Sequence, residues 1–207
     1  MYLPPHFRIE DRAEIAGLIR AAPLASLVTS GADGLIASPL PLLLDENEGV
    51  LGTLYGHLAR ANPQWQAGAT GDAMAIFMGP DAYVTPSWYA SKAEHGRVVP
   101  TWNYVAVHVY GEVEFFDDQA RLLDVVTRLT NRHEQGRAER WQVSDAPEKF
   151  IEAQLRAIVG IKLTVTRIDA KRKMSQNRSA EDRAGVAAGL SQSDKPGERA
   201  VAPLIPR

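Results

Sequence analysis

The sequence contains no cysteine. That absence excludes a disulfide framework, thiolate metal ligands and a cysteine nucleophile, and it agrees with a reducing compartment. Long apolar runs are missing as well, the longest falling far short of the roughly 18 residues that a membrane helix needs. Residues 1–12 carry Pro4, Pro5, Arg8, Glu10 and Asp11 without an apolar h-region, so no signal peptide is expected. The expected address is cytoplasmic, away from membranes. Nor is there an excess of positive charge. The formal net charge is -2 and the isoelectric point is near 6.2, unlike the basic footprint of a dedicated nucleic-acid binder. DNA contact would need a local patch or a partner.

Common catalytic signatures are also lacking: there is no G-x-G-x-x-G, no G-x-x-x-x-G-K, no G-x-S-x-G and no H-E-x-x-H. The five histidines, His6, His57, His95, His108 and His133, are scattered without metal-ligand spacing, so no protein metal site is expected. No nucleophile and base stand out as a pair, and no residue is assigned a catalytic role. Chemistry, if there is any, would come from a cofactor.

What is present is an ordinary globular composition, 45% hydrophobic and 23% charged, in a chain long enough for one sizeable core. Asp11 and Glu14 suit a capping box for a first helix with Ile15, Leu18 and Ile19 on one stripe, stopped by Pro23. Strands are expected at 24–29 and, after a turn at 31–34, at 35–44. Pro39 and Pro41 mark the latter as an edge or bent strand. A third strand is expected at 50–55, then a polar loop with short helical turns at 56–66. Two short strands at 73–78 and 82–85 flank Gly79-Pro80. Residues 102–116 alternate most clearly, with Val105, Val107 and Val109 on one face. Asp117 or Asp118 caps a helix reaching His133. Asp145, Pro147 and Glu148 open another, ended by Gly160, before a last strand at 161–168. Ser179 and Asp182 open a short helix, and residues 191–207 show no periodicity and are expected to be disordered. Strands joined by short turns, with most helices arriving late, indicate a mainly β, α+β chain built on an antiparallel barrel or curled sheet. A single domain over 1–190 is expected.

Three segments could hold a cofactor. In Gly56-His57-Leu58-Ala59-Arg60, a glycine allows close backbone approach, and His57 and Arg60 can meet a phosphate. The alternative is a strand-to-helix turn with a solvated arginine. Pro86-Ser87-Trp88-Tyr89, with Val99-Pro100-Thr101-Trp102-Asn103-Tyr104, offers aromatic surface for a planar ring, or else for packing of a loop or dimer. Lys171-Arg172-Lys173-Met174-Ser175-Gln176-Asn177-Arg178 is the one local basic patch. It reads as a solvated turn or as a set of donors for a heterocycle edge, phosphate or DNA.

Together these segments resemble the PaiB family of FMN-binding, split-barrel transcriptional regulators. The matching pieces are Met1-Tyr2-Leu3-Pro4 and His6-Phe7, Leu40-Pro41-Leu42-Leu43-Leu44-Asp45, Gly56 through Asn62 with Pro63-Gln64-Trp65, Gly79-Pro80-Asp81-Ala82-Tyr83, Pro86-Ser87-Trp88-Tyr89, Val99 through Tyr104, His133-Glu134, and Lys173 through Arg178. They keep their order from Met1 to about Leu190.

The resemblance implies a six-stranded antiparallel split barrel with peripheral helices, a homodimer, and an FMN in each of two clefts between subunits. It implies phosphate contact at His57, Leu58 and Arg60, after a strand holding Thr53 and Leu54, and ring contact near Pro39 and Leu40. Trp102 and Asn103 would approach from the other subunit, with Lys173, Gln176 and Arg178 covering the ring edge. The function so implied is negative transcriptional regulation. The alternative is a flavin-dependent oxidoreductase of the flavin-reductase or pyridoxine-phosphate-oxidase type, and a third is a structural or interaction dimer whose cleft is empty or binds another planar ligand, such as haem.

Overall fold

The helix start read at Asp11 is built as the capping residues dictate. Glu14 N donates to Asp11 Oδ1 at 2.7 Å, and helix α1 runs Arg12–Ala21. The computed structural model describes residues 1–22, 24–32 and 34–207. Pro23, expected to stop this helix, and Asp33, in the expected turn, lie outside them. Strands β1 (Ala25–Gly31) and β2 (Gly34–Leu40) pair antiparallel from Ala25↔Leu40 to Gly31↔Gly34. Then follow β3 (Leu43–Asp45), β4 (Thr53–Ala59), helix α2 (Gln64–Ala67), β5 (Ala73–Val84) and α3 (Ser91–His95). The chain continues through β6 (Thr101–Phe116), α4 (Gln119–Glu134), α5 (Glu148–Arg156), β7 (Ile158–Lys173), α6 (Ala180–Ser191) and α7 (Pro196–Val201).

The strands form one mostly antiparallel sheet in the order β2-β1-β5-β6-β7-β4-β3. Among the described residues, seven strands stand where the resemblance implies six, and no pairing closes the order into a barrel. The expected strand at 35–44 is broken at Pro41-Leu42 into β2 and β3. Pro39 sits on β2, an end strand, where its missing N–H costs no ladder bond. Other expectations shift. β4 runs past Tyr55 to Ala59, and β5 passes unbroken through Gly79-Pro80. Gly160 does not end a helix. It lies in β7, where a Cβ would collide with the Phe116 ring. Among the described residues, no helix is long and apolar enough to cross a membrane.

The chain divides into two compact units. One comprises residues 19–77 and 108–168. Asp118 caps α4 by accepting from Arg121 N at 2.9 Å. The helix lays Leu122, Val125 and Leu129 against Phe116 and Leu155.

The other unit comprises residues 1–18, 78–107 and 169–207. Its core holds Val84, Val105, Met174, Val186 and Leu190 together with Val201, Ala202 and Ile205. The closing segment is therefore not disordered as expected. α7 and the 3-10 turn after it bury three apolar side chains, each worth roughly 1.5–3 kcal/mol when large. Trp88 explains two glycines of α6. A Cβ at Gly185 would strike the Trp88 carbonyl, and one at Gly189 its indole.

Candidate functional site

In the first unit, the segment expected to be a loop after Gly56 is strand. Gly56, His57, Leu58 and Ala59 pair with Ile161, Gly160, Val159 and Ile158 of β7, so no helical start presents free N–H groups here. The two-residue period puts Leu54, Gly56 and Leu58 on one face and Tyr55 and His57 on the other, toward α4. Gly56 is needed because Leu42 and the Pro41 carbonyl press upon it. A Cβ there would come within 2.7 Å of Leu42 Cδ2 and 3.0 Å of Pro41 O. The space is taken by the chain itself.

Arg60 is likewise engaged. Its Nε donates to Arg156 O at 2.7 Å and its Nη2 to Ile158 O at 3.1 Å, while Nη1 lies 3.6 Å from Asp117. The expected free guanidinium is corrected: it holds the end of α5. His57 has a buried Nδ1 with no protein partner. Burial pushes its imidazolium below the ordinary value, so the ring is neutral at pH 7 and carries no charge toward a phosphate.

Leu40, Thr53, Leu54 and Leu58 have buried side chains and can offer a ligand only backbone. The Thr53 hydroxyl is already bonded to Glu48 O at 3.0 Å. Pro39 is exposed on its end strand.

Sequence reading missed Gln64. It is fully buried, and its Nε2 lies 3.1 Å from Leu27 O, 3.1 Å from Thr29 Oγ1 and 3.2 Å from Ile36 O, stitching β1 to β2. Asn62 sets this up, accepting from Gln64 N at 2.9 Å and donating to Ser38 Oγ at 2.8 Å. Much of the motif around Arg60 thus builds the sheet edge.

In the second unit the structure does bring expected residues together. The end of β7 and the turn after it face the start of β6. Lys173 Nζ donates to Thr101 Oγ1 at 2.5 Å, and Asn103 Nδ2 donates to Ser175 Oγ at 3.0 Å. Asn103 is fully buried, so its amide depends on that serine.

Ser175 is the one non-glycine residue with positive φ, at 61°, among the described residues. Such a conformation persists only where neighbours hold it. Gln176 is that clamp, its Oε1 accepting from Met174 N at 2.6 Å and its Nε2 donating to Arg172 O at 2.5 Å. Both ends of its amide are spent on the turn, contrary to the expected role at a ring edge.

The run is not a solvated loop. Lys171 is buried and donates to Tyr2 O at 3.0 Å, and Arg172 pairs with Glu14 at 2.9 Å. Within the run, only Arg172 pairs with a carboxylate among the described residues, and Lys173 and Arg178 are the two less buried cations left without one. Lys173 meets a hydroxyl, and burial, with Lys171 and Arg178 nearby, pushes its ammonium below the ordinary value. The Arg178 guanidinium lies over the Tyr89 ring, 4.6 Å from its centre. Trp102 is 53% exposed and meets Tyr83 edge-on at 6.1 Å. A flat aromatic surface and cations lacking carboxylates therefore occupy one unit, on a turn held by buried hydrogen bonds.

A family model described as "Putative FMN-binding domain" matches residues 1–167. Protease synthase and sporulation protein PAI 2 of Bacillus subtilis is 32% identical over 206 residues, covering 99% of this chain and 96% of its own. The flavocytochrome Anf3 from Azotobacter vinelandii has a TM-score of 0.62 at 18% identity, covering 86% of this chain and 75% of that one. The FAD and heme binding protein from Mycobacterium smegmatis has a TM-score of 0.61 at 18% identity, covering 88% and 80%. Likeness at this level of identity concerns the fold.

Proposed function

Since the chain belongs to the PaiB family of FMN-binding domains, we propose that it binds FMN in clefts formed by two copies of itself and acts as a regulator of transcription. One observation carries the cofactor reading. The turn of Lys173 to Arg178 is a fixed, strained element that sets a carboxylate-free lysine beside the start of β6, where Trp102 stands exposed. These residues fit a flavin: the indole matches a planar ring, and Lys173 and Arg178 match the anionic oxygens of its edge or phosphate. An apolar indole at the surface also suits an interface with a second copy.

Bound FMN would supply electron transfer. The protein's own residues bind and orient it: Trp102 covers a ring face, Lys173 and Arg178 neutralise charge, and Asn103 and Gln176 keep the turn in place. Gln64 acts one step back by holding the sheet edge, and Arg60 by fastening the end of α5 to β7.

The test is a titration of the purified protein with FMN, followed by flavin fluorescence and thermal melting. Saturable binding that raises the melting temperature is expected, with Trp102→Ala and Lys173→Ala weakening it and sedimentation reporting a dimer. No saturation at millimolar FMN would sink the cofactor reading. The regulatory role is tested by gel shift across a salt series. Binding that never exceeds the non-specific level, with or without FMN, would turn attention to NADH or NADPH oxidation instead.

A further inference from the structure

Helices α4 and α5 line a cavity of about 720 Å³ that lies wholly within the first unit and shares no residue with the flavin reading. Gln119, Leu123, Thr127 and Asn131 recur at every fourth position, so one face of α4 forms one wall. Leu122 is fully buried in the core beneath this helix, whereas Leu123 stays outside that core and is 41% exposed. Glu148, Ile151, Glu152 and Leu155 follow the helical repeat along α5 and form the second wall, with Leu155 buried as its floor. The turn over residues 142–146 supplies a third side, held by Gln142 N donating to Asp145 Oδ2 at 2.8 Å.

We propose that this cavity binds a small organic ammonium with an apolar body, an arylalkyl amine of one or two rings. The ring would rest on Leu123, Ile151 and Leu155, and the ammonium on Glu148 and Glu152. The volume falls within the range of small-molecule sites. Charge fixes the sign of the ligand. Glu148 and Glu152 are the charged residues among the described ones lining the cavity, both are exposed, and neither forms an ion pair with a described residue. Neighbouring acids are engaged instead: Glu114 with Arg121, Asp124 with Arg128, and Asp118 with the start of α4. Like charges four residues apart weaken a helix, and a cation set between them removes that repulsion. An acid at Glu148 also suits the first turn of α5, but Glu152, one turn on, has no such role. The other polar lining, from Gln119, Thr127, Asn131, Gln142 and Ser144, is neutral, and its oxygens can accept from an ammonium. A carboxylate or phosphate would meet two like charges and no cation. A bare metal ion would leave the leucine and isoleucine uncovered, and no metal-holding group of side chains occurs among the described residues.

The probes are phenethylamine, phenethyl alcohol and hydrocinnamate, titrated calorimetrically into the full chain. The amine should bind saturably, the isosteric alcohol about fivefold more weakly, and the acid not at all. Added salt should weaken the amine and leave the alcohol unaffected. Glu152→Gln should bring the amine down to the affinity of the alcohol with an unchanged melting curve. Leu123→Ser alters an exposed wall and spares the core, so it should weaken amine and alcohol alike, severalfold. Equal affinity of the parent for amine and alcohol, or full amine affinity in Glu152→Gln, overturns the proposal, since the carboxylates would then play no part. Absence of saturation at millimolar phenethylamine overturns it as well; if Leu123→Ser then also breaks a dimer seen by sedimentation, the face belongs to a second copy. FMN-free and FMN-treated protein should bind the amine alike, so failure of the flavin reading is read separately.

Discussion

Arg60 closes helix α5 from outside, its Nε donating to the Arg156 carbonyl at 2.7 Å. That carbonyl is among the last four of the helix, which have no partner within it, and a cation is favoured at this end. The Arg60 backbone N–H also donates to Ala157 O at 2.8 Å. The residue thus fastens the turn from α5 into β7. Arg60→Ala should cost about 1–2 kcal/mol of stability in urea unfolding, a value reduced for partial exposure. Arg60→Lys should recover only part, since an ammonium cannot reproduce the two-pronged contact. The FMN dissociation constant should stay within a factor of about two of the parent value, which is within the error of small binding changes. A large loss of FMN affinity at unchanged stability would return Arg60 to the phosphate.

The closing segment should matter to folding. Val201, Ala202 and Ile205 belong to the same core cluster as Val186 and Leu190 of α6. Removing residues 195–207 deletes these side chains and exposes what they cover, a loss of about 4 kcal/mol or more by analogy with large-to-small core changes. Thermal unfolding followed by circular dichroism checks this. A truncated chain that melts with the full one would show the segment to be dispensable.

Local chemistry made part of this legible in the sequence. Asp11, Asp118 and Ser179 each sit where a capping side chain starts a helix, and the hydrogen bonds from Glu14 N, Arg121 N and Asp182 N are there. The alternation of β6 needed no tertiary information either. What could not be read depends on partners distant in sequence. The run from Gly56 to Ala59 looks like a polar turn until β7 pairs with it. Gln64 looks like a surface residue until Leu27 and Ile36 offer it carbonyls from more than 25 positions away. The last residues lack periodicity because α7 is short, and their burial comes from α6 rather than from a repeating stripe. For the candidate site, the side-chain chemistry of Thr101–Asn103 and Lys173–Ser175 already marked them as cofactor-holding segments, and the resemblance named the cofactor. Only the fold separates Lys173, without a carboxylate, from Lys171 and Arg172, whose contacts are spent.

Ser175 and Asn103 should behave as one unit. Ser175→Ala removes the oxygen that the buried Asn103 amide uses and keeps the positive φ. It should cost about 1–3 kcal/mol, the range for a buried polar group left unpaired. Ser175→Gly loses the same hydrogen bond, yet it relieves the backbone, because glycine adopts this φ freely. It should therefore be milder by roughly 1 kcal/mol. Chemical denaturation of both variants checks the order. A glycine variant no more stable than the alanine one would mean that the turn is not strained.

Acid should weaken the fold through His57 before the carboxylates are reached. Burial lowers the pKa of this histidine below its ordinary value of about 6.5. An unfolded chain therefore takes up a proton at His57 as pH falls through about 6.5, whereas the folded chain does not until its own lower pKa is reached. Between the two, the unfolded state binds more protons, so unfolding free energy rises with pH and is lost on acidification. Glu48 and Glu114 have lowered pKa values, so their contribution is present above the ordinary carboxylate range and is lost only further down. His57→Gln removes the titrating group and should flatten the slope of stability against pH between about 6.5 and 5. Urea midpoints for parent and variant at several pH values in that window decide it. Parallel slopes would show that the His57 imidazole titrates alike in the folded and unfolded chain.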